Sequence, residues 1–110
     1  MDETLLLMTN LPDAASAEAL ALRLVEARLA ACVNQLAPCS SVYRWQDGIS
    51  TATEIPLLIK TMRSRYNDIE ALVRELHPYD VPELIAMPIV AGLPDYLNWV
   101  RQESAPKISC

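Results

Sequence analysis

The stretch Ser41–Met62, SVYRWQDGISTATEIPLLIKTM, constrains this chain more than any other. Two runs rich in β-branched and aromatic residues flank Asp47-Gly48, the usual signal of a two-residue hairpin loop with positive φ. Beyond the loop, Thr51, Thr53, Ile55, Leu57, Ile59 and Thr61 share one face of a strand, and Glu54, Leu58 and Lys60 share the other. The incoming arm can begin as early as Cys32, so two arms of about 12 residues would span ~40 Å. A compact domain of this length has a radius of gyration near ~13 Å. The hairpin is therefore longer than the body that should cover it, and an uncovered edge invites pairing with other chains. Pairing Gln46 with Ile49 sets Cys39 against Pro56 and Pro38 against Leu57, so both arms lose an N–H donor at one level. That level divides a core-facing half from a projecting half. A shorter hairpin, from Val42 to about Ala52 with irregular flanks, is the alternative.

The 110 residues fit one domain, and 52% hydrophobic content suffices for a core. A net charge of −5 argues against a nucleic-acid partner, which needs a basic face. No apolar run reaches the ~20 residues of a membrane helix, and the acidic opening MDETLLLM does not read as a signal peptide. A cytoplasmic chain is the expectation. Three cysteines, an odd number, argue against a disulfide framework, and two glycines cannot build a glycine-rich phosphate loop.

Thr4–Thr9, TLLLMT, reads as a strand buried on both faces. Asp13 or Ser16 caps a helix expected over Ala14–Ala31, which no glycine ends. A second helix is expected from Ser64, its cap, to His77; Ile69, Leu72, Val73 and Leu76 form its apolar face. His77 precedes a proline and leaves the helical region. Leu84–Val90 is a fourth strand whose Pro88 makes it an edge strand or a bulged one, and Tyr96–Glu103 a short third helix. The expected class is α+β: a ferredoxin-like βαββαβ sandwich with an extended β2–β3 hairpin and a C-terminal helix. Residues 1–103 form one domain and 104–110 a flexible tail. Both main helices then cover one sheet face, and the other face needs a partner subunit.

Candidate chemistry is sparse. Soft donors suited to copper or zinc are Cys32, Cys39, Cys110, Met8 and His77. On one regular strand Cys32 and Cys39 would stand ~23 Å apart and point to opposite faces. His77, the one histidine, cannot close a metal site within a single chain; a site shared between subunits or a helix-capping role are the two readings. Cys32 with His77 is the one nucleophile–base pair, with no recognisable orienting group, and the chain is not expected to be an enzyme. Tyr43, Trp45, Tyr79, Tyr96 and Trp99 suit an interface or a ligand cage. Lys60, beside Leu58 on the pleat, needs an acidic partner where it is buried.

Five blocks carry a resemblance: Ala30-Ala31-Cys32-Val33-Asn34, Ser41-Val42-Tyr43-Arg44-Trp45, Leu58-Ile59-Lys60-Thr61, His77-Pro78-Tyr79-Asp80-Val81-Pro82-Glu83 and Tyr96-Leu97-Asn98-Trp99. In this order they resemble the CutA family, named for tolerance to divalent cations, over roughly Leu5–Trp99. The resemblance implies a ferredoxin-like subunit in a homotrimer similar to PII signalling proteins. It also implies binding of copper or another divalent cation, with no organic cofactor. The family's copper pattern uses a first-strand cysteine and two histidines before Pro-Tyr; here those positions hold Met8, Leu76 and His77. The metal candidates are thus His77 and Cys32. The rival expectation is a PII-like trimer that binds a small molecule or another protein at intersubunit clefts. The cleft candidates are Tyr43, Trp45, Glu54, Lys60, Tyr79, Glu83 and Trp99.

Overall fold

A computed structural model describes residues 2–107. Strand β1 (Thr4–Leu11) leads through a turn to helix α1 (Ala14–Glu26). Strands β2 (Cys32–Gln35) and β3 (Cys39–Trp45) follow, then the long β4 (Gly48–Met62). A 3-10 turn (Arg63–Arg65) runs into α2 (Tyr66–Leu76), and β5 (Ile85–Pro88) and α3 (Pro94–Glu103) complete the fold. The strand order is β2-β4-β1-β5, all antiparallel, with β3 pairing the outer half of β4. If β2 and β3 count as one broken strand, this is the ferredoxin-like order. Pro88 lies on β5, which pairs with β1 alone, so it does stand at an edge.

Helices α1 and α2 bury Leu20, Leu24, Ile69 and Val73 against Leu5, Leu7, Leu57 and Ile59 of the sheet. On β1 the expectation of burial on both faces is half met. Leu5, Leu7, Thr9 and Leu11 are buried beneath the helices, whereas Leu6 and Met8 on the opposite face are only partly covered. On that opposite face α3 covers one end, where Val100 packs with Ala31 and Met62. No helix among the described residues is long and apolar enough to cross a membrane.

The hairpin register differs from expectation. Trp45 pairs with Gly48, so the two-residue loop is Gln46-Asp47, with φ of 48° and 62°. These are the positive values a type I′ turn requires, carried without glycine. Gly48 is the first residue of β4, and no glycine has a positive φ. Cys39 therefore opposes Glu54 rather than Pro56. The expected interruption remains: Gln35 pairs with Leu57 and Cys39 with Glu54, so three residues of one arm face two of the other. This is the count of a β-bulge, and it contains Pro38 and Pro56.

Helix α1 ends at Glu26, short of the expected Ala31. Arg28, at φ 57°, takes the left-handed position that glycine usually fills. Leu29 N–H bonds to Leu24 O at 3.0 Å and Arg28 N–H to Val25 O at 3.0 Å, the two bonds of a Schellman cap. The bent chain aims the Arg28 guanidinium at α3, where it donates to Gln102 O at 2.7 Å and Ala105 O at 2.8 Å. Ser104 is buried and its hydroxyl donates to Val100 O at 2.6 Å. The first residues placed in the tail are thus tied to α3; Ser109 and Cys110 lie outside the described residues. Asp13 caps α1 as expected, accepting from Ser16 N–H at 2.7 Å. Those bonds from Ser16 hold its carboxyl below the ordinary value. Ser64 is not a cap. It sits inside the 3-10 turn and donates its N–H and hydroxyl to the Asp2 carboxylate at 3.0 and 2.7 Å.

A left-handed conformation costs an ordinary residue roughly 1–2 kcal/mol, and the extra unfolded-state entropy of glycine cancels about half of it. Gln46→Gly is expected to stabilise the protein by about 0.5–1 kcal/mol, read as a raised midpoint in urea unfolding. Leu57→Ala, at a fully buried position, is expected to cost about 2–5 kcal/mol in the same measurement.

Candidate functional site

The bulge that ends the core-facing part of β4 leaves Glu54 at the start of the projecting part. Its side chain is only 9% exposed. The Tyr79 hydroxyl donates to Glu54 Oε2 at 3.2 Å, tying the hairpin to the loop that follows α2. Burial, then the hydrogen bond and charge of Glu54, raise the Tyr79 phenol above its ordinary value of 10.0, with smaller contributions from Tyr43 and Asp13. Between hairpin and loop lies an open groove of about 780 Å³. Tyr43, Trp45, Glu54, Tyr79 and Glu83 all line it. Five of the seven cleft candidates thus meet within one chain.

Lys60 and Trp99 do not line it. Lys60 is six residues from Glu54 along β4, or ~20 Å, and faces β2, where it donates to the Asn34 side chain. Among the described residues no acidic group partners it. Its ammonium lies 3.8 Å from Cys32 Sγ. Trp99 is on α3, stacked on Tyr96 with centroids 5.7 Å apart. Burial, then the charge and hydrogen bond of Cys32, raise the Tyr96 phenol.

Asn10, not foreseen as a site residue, also lines the groove. It is 7% exposed, and its Nδ2 donates to Glu83 Oε1 at 3.2 Å. That bond fixes the amide orientation, because a carboxylate accepts only. Asn10 Oδ1 is then a buried acceptor without a partner. The signal available in the sequence was an asparagine ending an apolar strand, which reads equally well as a turn residue.

His77 is buried as well. Its Nδ1 accepts from the Tyr79 N–H at 3.2 Å, so the other nitrogen carries the proton and Nε2–H donates to Asn10 O at 2.7 Å. The rings of His77 and Tyr79 pack at 4.8 Å. Both nitrogens are occupied in holding the loop against the end of β1, and neither has a lone pair free for a metal.

Cys32 and His77 are not brought together. Cys32 sits level with Lys60 and Leu6, whereas His77 bonds to Asn10, four positions along β1 or ~13 Å away. Among the described residues, no three of His, Cys, Asp and Glu are grouped closely enough to hold a metal ion. Met8, across from Leu58 and Ile85, faces the half-covered side of the sheet. The donors present therefore do not fit a shared copper centre in one subunit, and the same separation leaves Cys32 without His77 as a base.

Residues 5–103 match the family described as CutA1 divalent ion tolerance protein. This chain belongs to that family. A divalent-cation tolerance protein CutA from Thermus thermophilus is 40% identical over 94% of this chain and 99% of its own length. A solved structure of the Thermus protein superposes with a TM-score of 0.88. The CutA structure from Xylella fastidiosa is 45% identical, covers 94% of this chain and 99% of its own, and gives a TM-score of 0.91. One from Archaeoglobus fulgidus, described as a periplasmic divalent cation tolerance protein, is 32% identical. It covers 93% of this chain and 99% of its own, with a TM-score of 0.90. The CutA framework thus accommodates the broken second strand and the projecting hairpin.

His77→Ala is expected to destabilise the fold by about 1–3 kcal/mol, since it leaves two buried backbone groups unpaired. Thermal unfolding measures this. Because the folded-state pKa of Tyr79 is raised, its contribution is complete below pH 10.0 and is lost as pH climbs through the higher folded value. The stability advantage of the unsubstituted protein over Tyr79→Phe should hold from neutral pH to 10.0 and shrink above it, as read by urea unfolding at stepped pH.

Proposed function

We propose that this CutA-family chain works as a homotrimer, is not an enzyme, and places its ligand chemistry in the groove beside the hairpin rather than at a His77–Cys32 copper centre. The observation that carries the assembly is the half-covered sheet face. Leu6, Met8 and Leu58 are only partly buried there, and Ile85 and Met87 are 47% and 41% exposed. Burying such apolar area is worth about 25 cal/mol per Å², and an unpaired edge of β4 beside it favours sister chains as the cover. On the projecting ribbon Val42 and Ile49 are exposed as well, at 68% and 65%.

A role in divalent-cation tolerance follows the family name. Copper binding through His77 has little support from a ring whose two nitrogens are already bonded. Cys32 has little support beside an ammonium that repels a second cation. The PII-like reading, with a small molecule or a protein at the clefts, is favoured by the groove. For the compartment, Cys32 and Cys39 are free thiols, which suits the reducing cytoplasm. The archaeal relative is described as periplasmic, so family membership leaves the compartment to such features of this chain.

Native mass spectrometry is expected to give three copies, and Leu58→Asp, on the half-covered face, a single copy. A single copy for the unsubstituted protein would overturn the assembly. Copper titrated into the protein and into His77→Ala is expected to bind both alike. Tight binding lost selectively in the variant, with its mass in solution intact, would restore His77 as a ligand.

A further inference from the structure

We propose that the groove between the hairpin and the His77–Glu83 loop binds a small aliphatic ammonium compound, a diamine or longer polyamine. The proposal rests on the groove reading above and names its ligand class. The groove's charge has one sign. Glu54, Glu83 and Asp80 line it, and among the described residues no lysine or arginine does. Glu54 is more than nine-tenths buried, yet the one donor it receives is a neutral phenol at 3.2 Å. A carboxylate so placed has been withdrawn from water without a cation to offset the loss.

The second observation is independent of the acids. Among the described residues Asn10 Oδ1, a buried acceptor, has nothing to accept from, and Asn10 lines the same groove. Its own amide nitrogen has already been given to Glu83. The charged groups of the lining and the orphaned Asn10 oxygen are all acceptors, which call for N–H donors and not for an anion. The walls supply the remaining preference. Tyr43, Trp45 and Tyr79 present ring surface, which attracts a cation through the ring quadrupole and accommodates methylene groups. A hard metal ion would need six or more oxygen ligands in place of these rings. A volume of about 780 Å³ lies within the usual range for small-molecule sites.

The test uses the full chain in its native assembly. 1,4-Diaminobutane is titrated by calorimetry, with glutarate as the anion of similar length and Mg²⁺ as the inorganic cation. Glu54→Gln and Trp45→Ala alter the groove, and Asp68→Asn removes a carboxylate on exposed α2 as a control for general acidity. Saturable diamine binding is expected. It should weaken about 10- to 100-fold in Glu54→Gln, fall in Trp45→Ala, and stay unchanged in Asp68→Asn. Unfolding midpoints confirm that each variant folds. Diamine binding that Glu54→Gln leaves intact, or equal displacement by Mg²⁺, would overturn the proposal. Glutarate binding that Trp45→Ala abolishes, with no diamine binding, would overturn the ligand class and leave the groove standing. No binding of any probe, with the groove filled by a basic side chain of a sister subunit, would overturn both.

Discussion

Strand β4 carries two different demands along its length. From Ile55 to Met62 it is hydrogen-bonded on one edge to β1 and, over part of that length, on the other to β2. From Gly48 to Glu54 it has only β3. The change falls at Pro56, which has no N–H to give, opposite a bulged arm that contains Pro38. Inside that boundary β4 is the centre of a four-strand sheet under two helices. Outside it, the hairpin is a two-strand ribbon, and an isolated ribbon is marginal in water. The longest dimension of 51 Å, against 30 and 23 Å for the others, is the direct result. Neither half makes sense without the other: the inner half fixes the register, and the outer half inherits it.

The boundary also explains where polar groups can be buried. Glu54 points, with Leu58 and Lys60, to the sheet face away from α1 and α2, so neither helix covers its side chain. The loop after α2 covers it instead, held by His77 to the end of β1. Thus one chain of contacts, Asn10 to His77 to Tyr79 to Glu54, joins the end of the first strand to the base of the ribbon. The histidine is the keystone because it both accepts and donates within that chain. His77 is also the C-cap of α2, where its N–H bonds to Val73 O at 2.8 Å.

The fold was legible in the sequence because periodicity reports burial, and burial decides the elements. The apolar spacing of Ile69, Leu72, Val73 and Leu76 marks a helix whichever way it ends. Ends were less legible. Arg28 occupies a position that normally selects glycine, and its reason is tertiary: its guanidinium serves carbonyls on α3, far along the chain. The loop Gln46-Asp47 was misread because Asp-Gly is the usual signature, whereas Asp47 tolerates positive φ and Gln46 is held there by the flanking ladder. Of the site, Tyr43, Trp45, Glu54, Tyr79 and Glu83 were readable as polar and aromatic residues near the hairpin and its facing loop. Lys60 was grouped with them because charge suggests a partner, but strand rise sets it ~20 Å from Glu54. Asn10 offered only the ambiguous signal of an asparagine at a strand end, since a buried orphan acceptor exists only once the neighbours are in place.

Met8 and Leu76, which the resemblance set at the ligand positions of a copper pattern, have packing roles in this subunit. Met8 lies on the half-covered face and Leu76 packs against the main core, so both positions are filled by apolar side chains that contribute to packing whether or not a metal is ever present. His77, by contrast, has a structural task in this chain that any imidazole in this place must perform before it can do anything else. A histidine before Pro-Tyr is therefore poor grounds for a metal centre on its own. The tie from loop to strand accounts for it first, and the acidic, aromatic groove that this tie holds open is where the remaining unsatisfied chemistry of the subunit is concentrated.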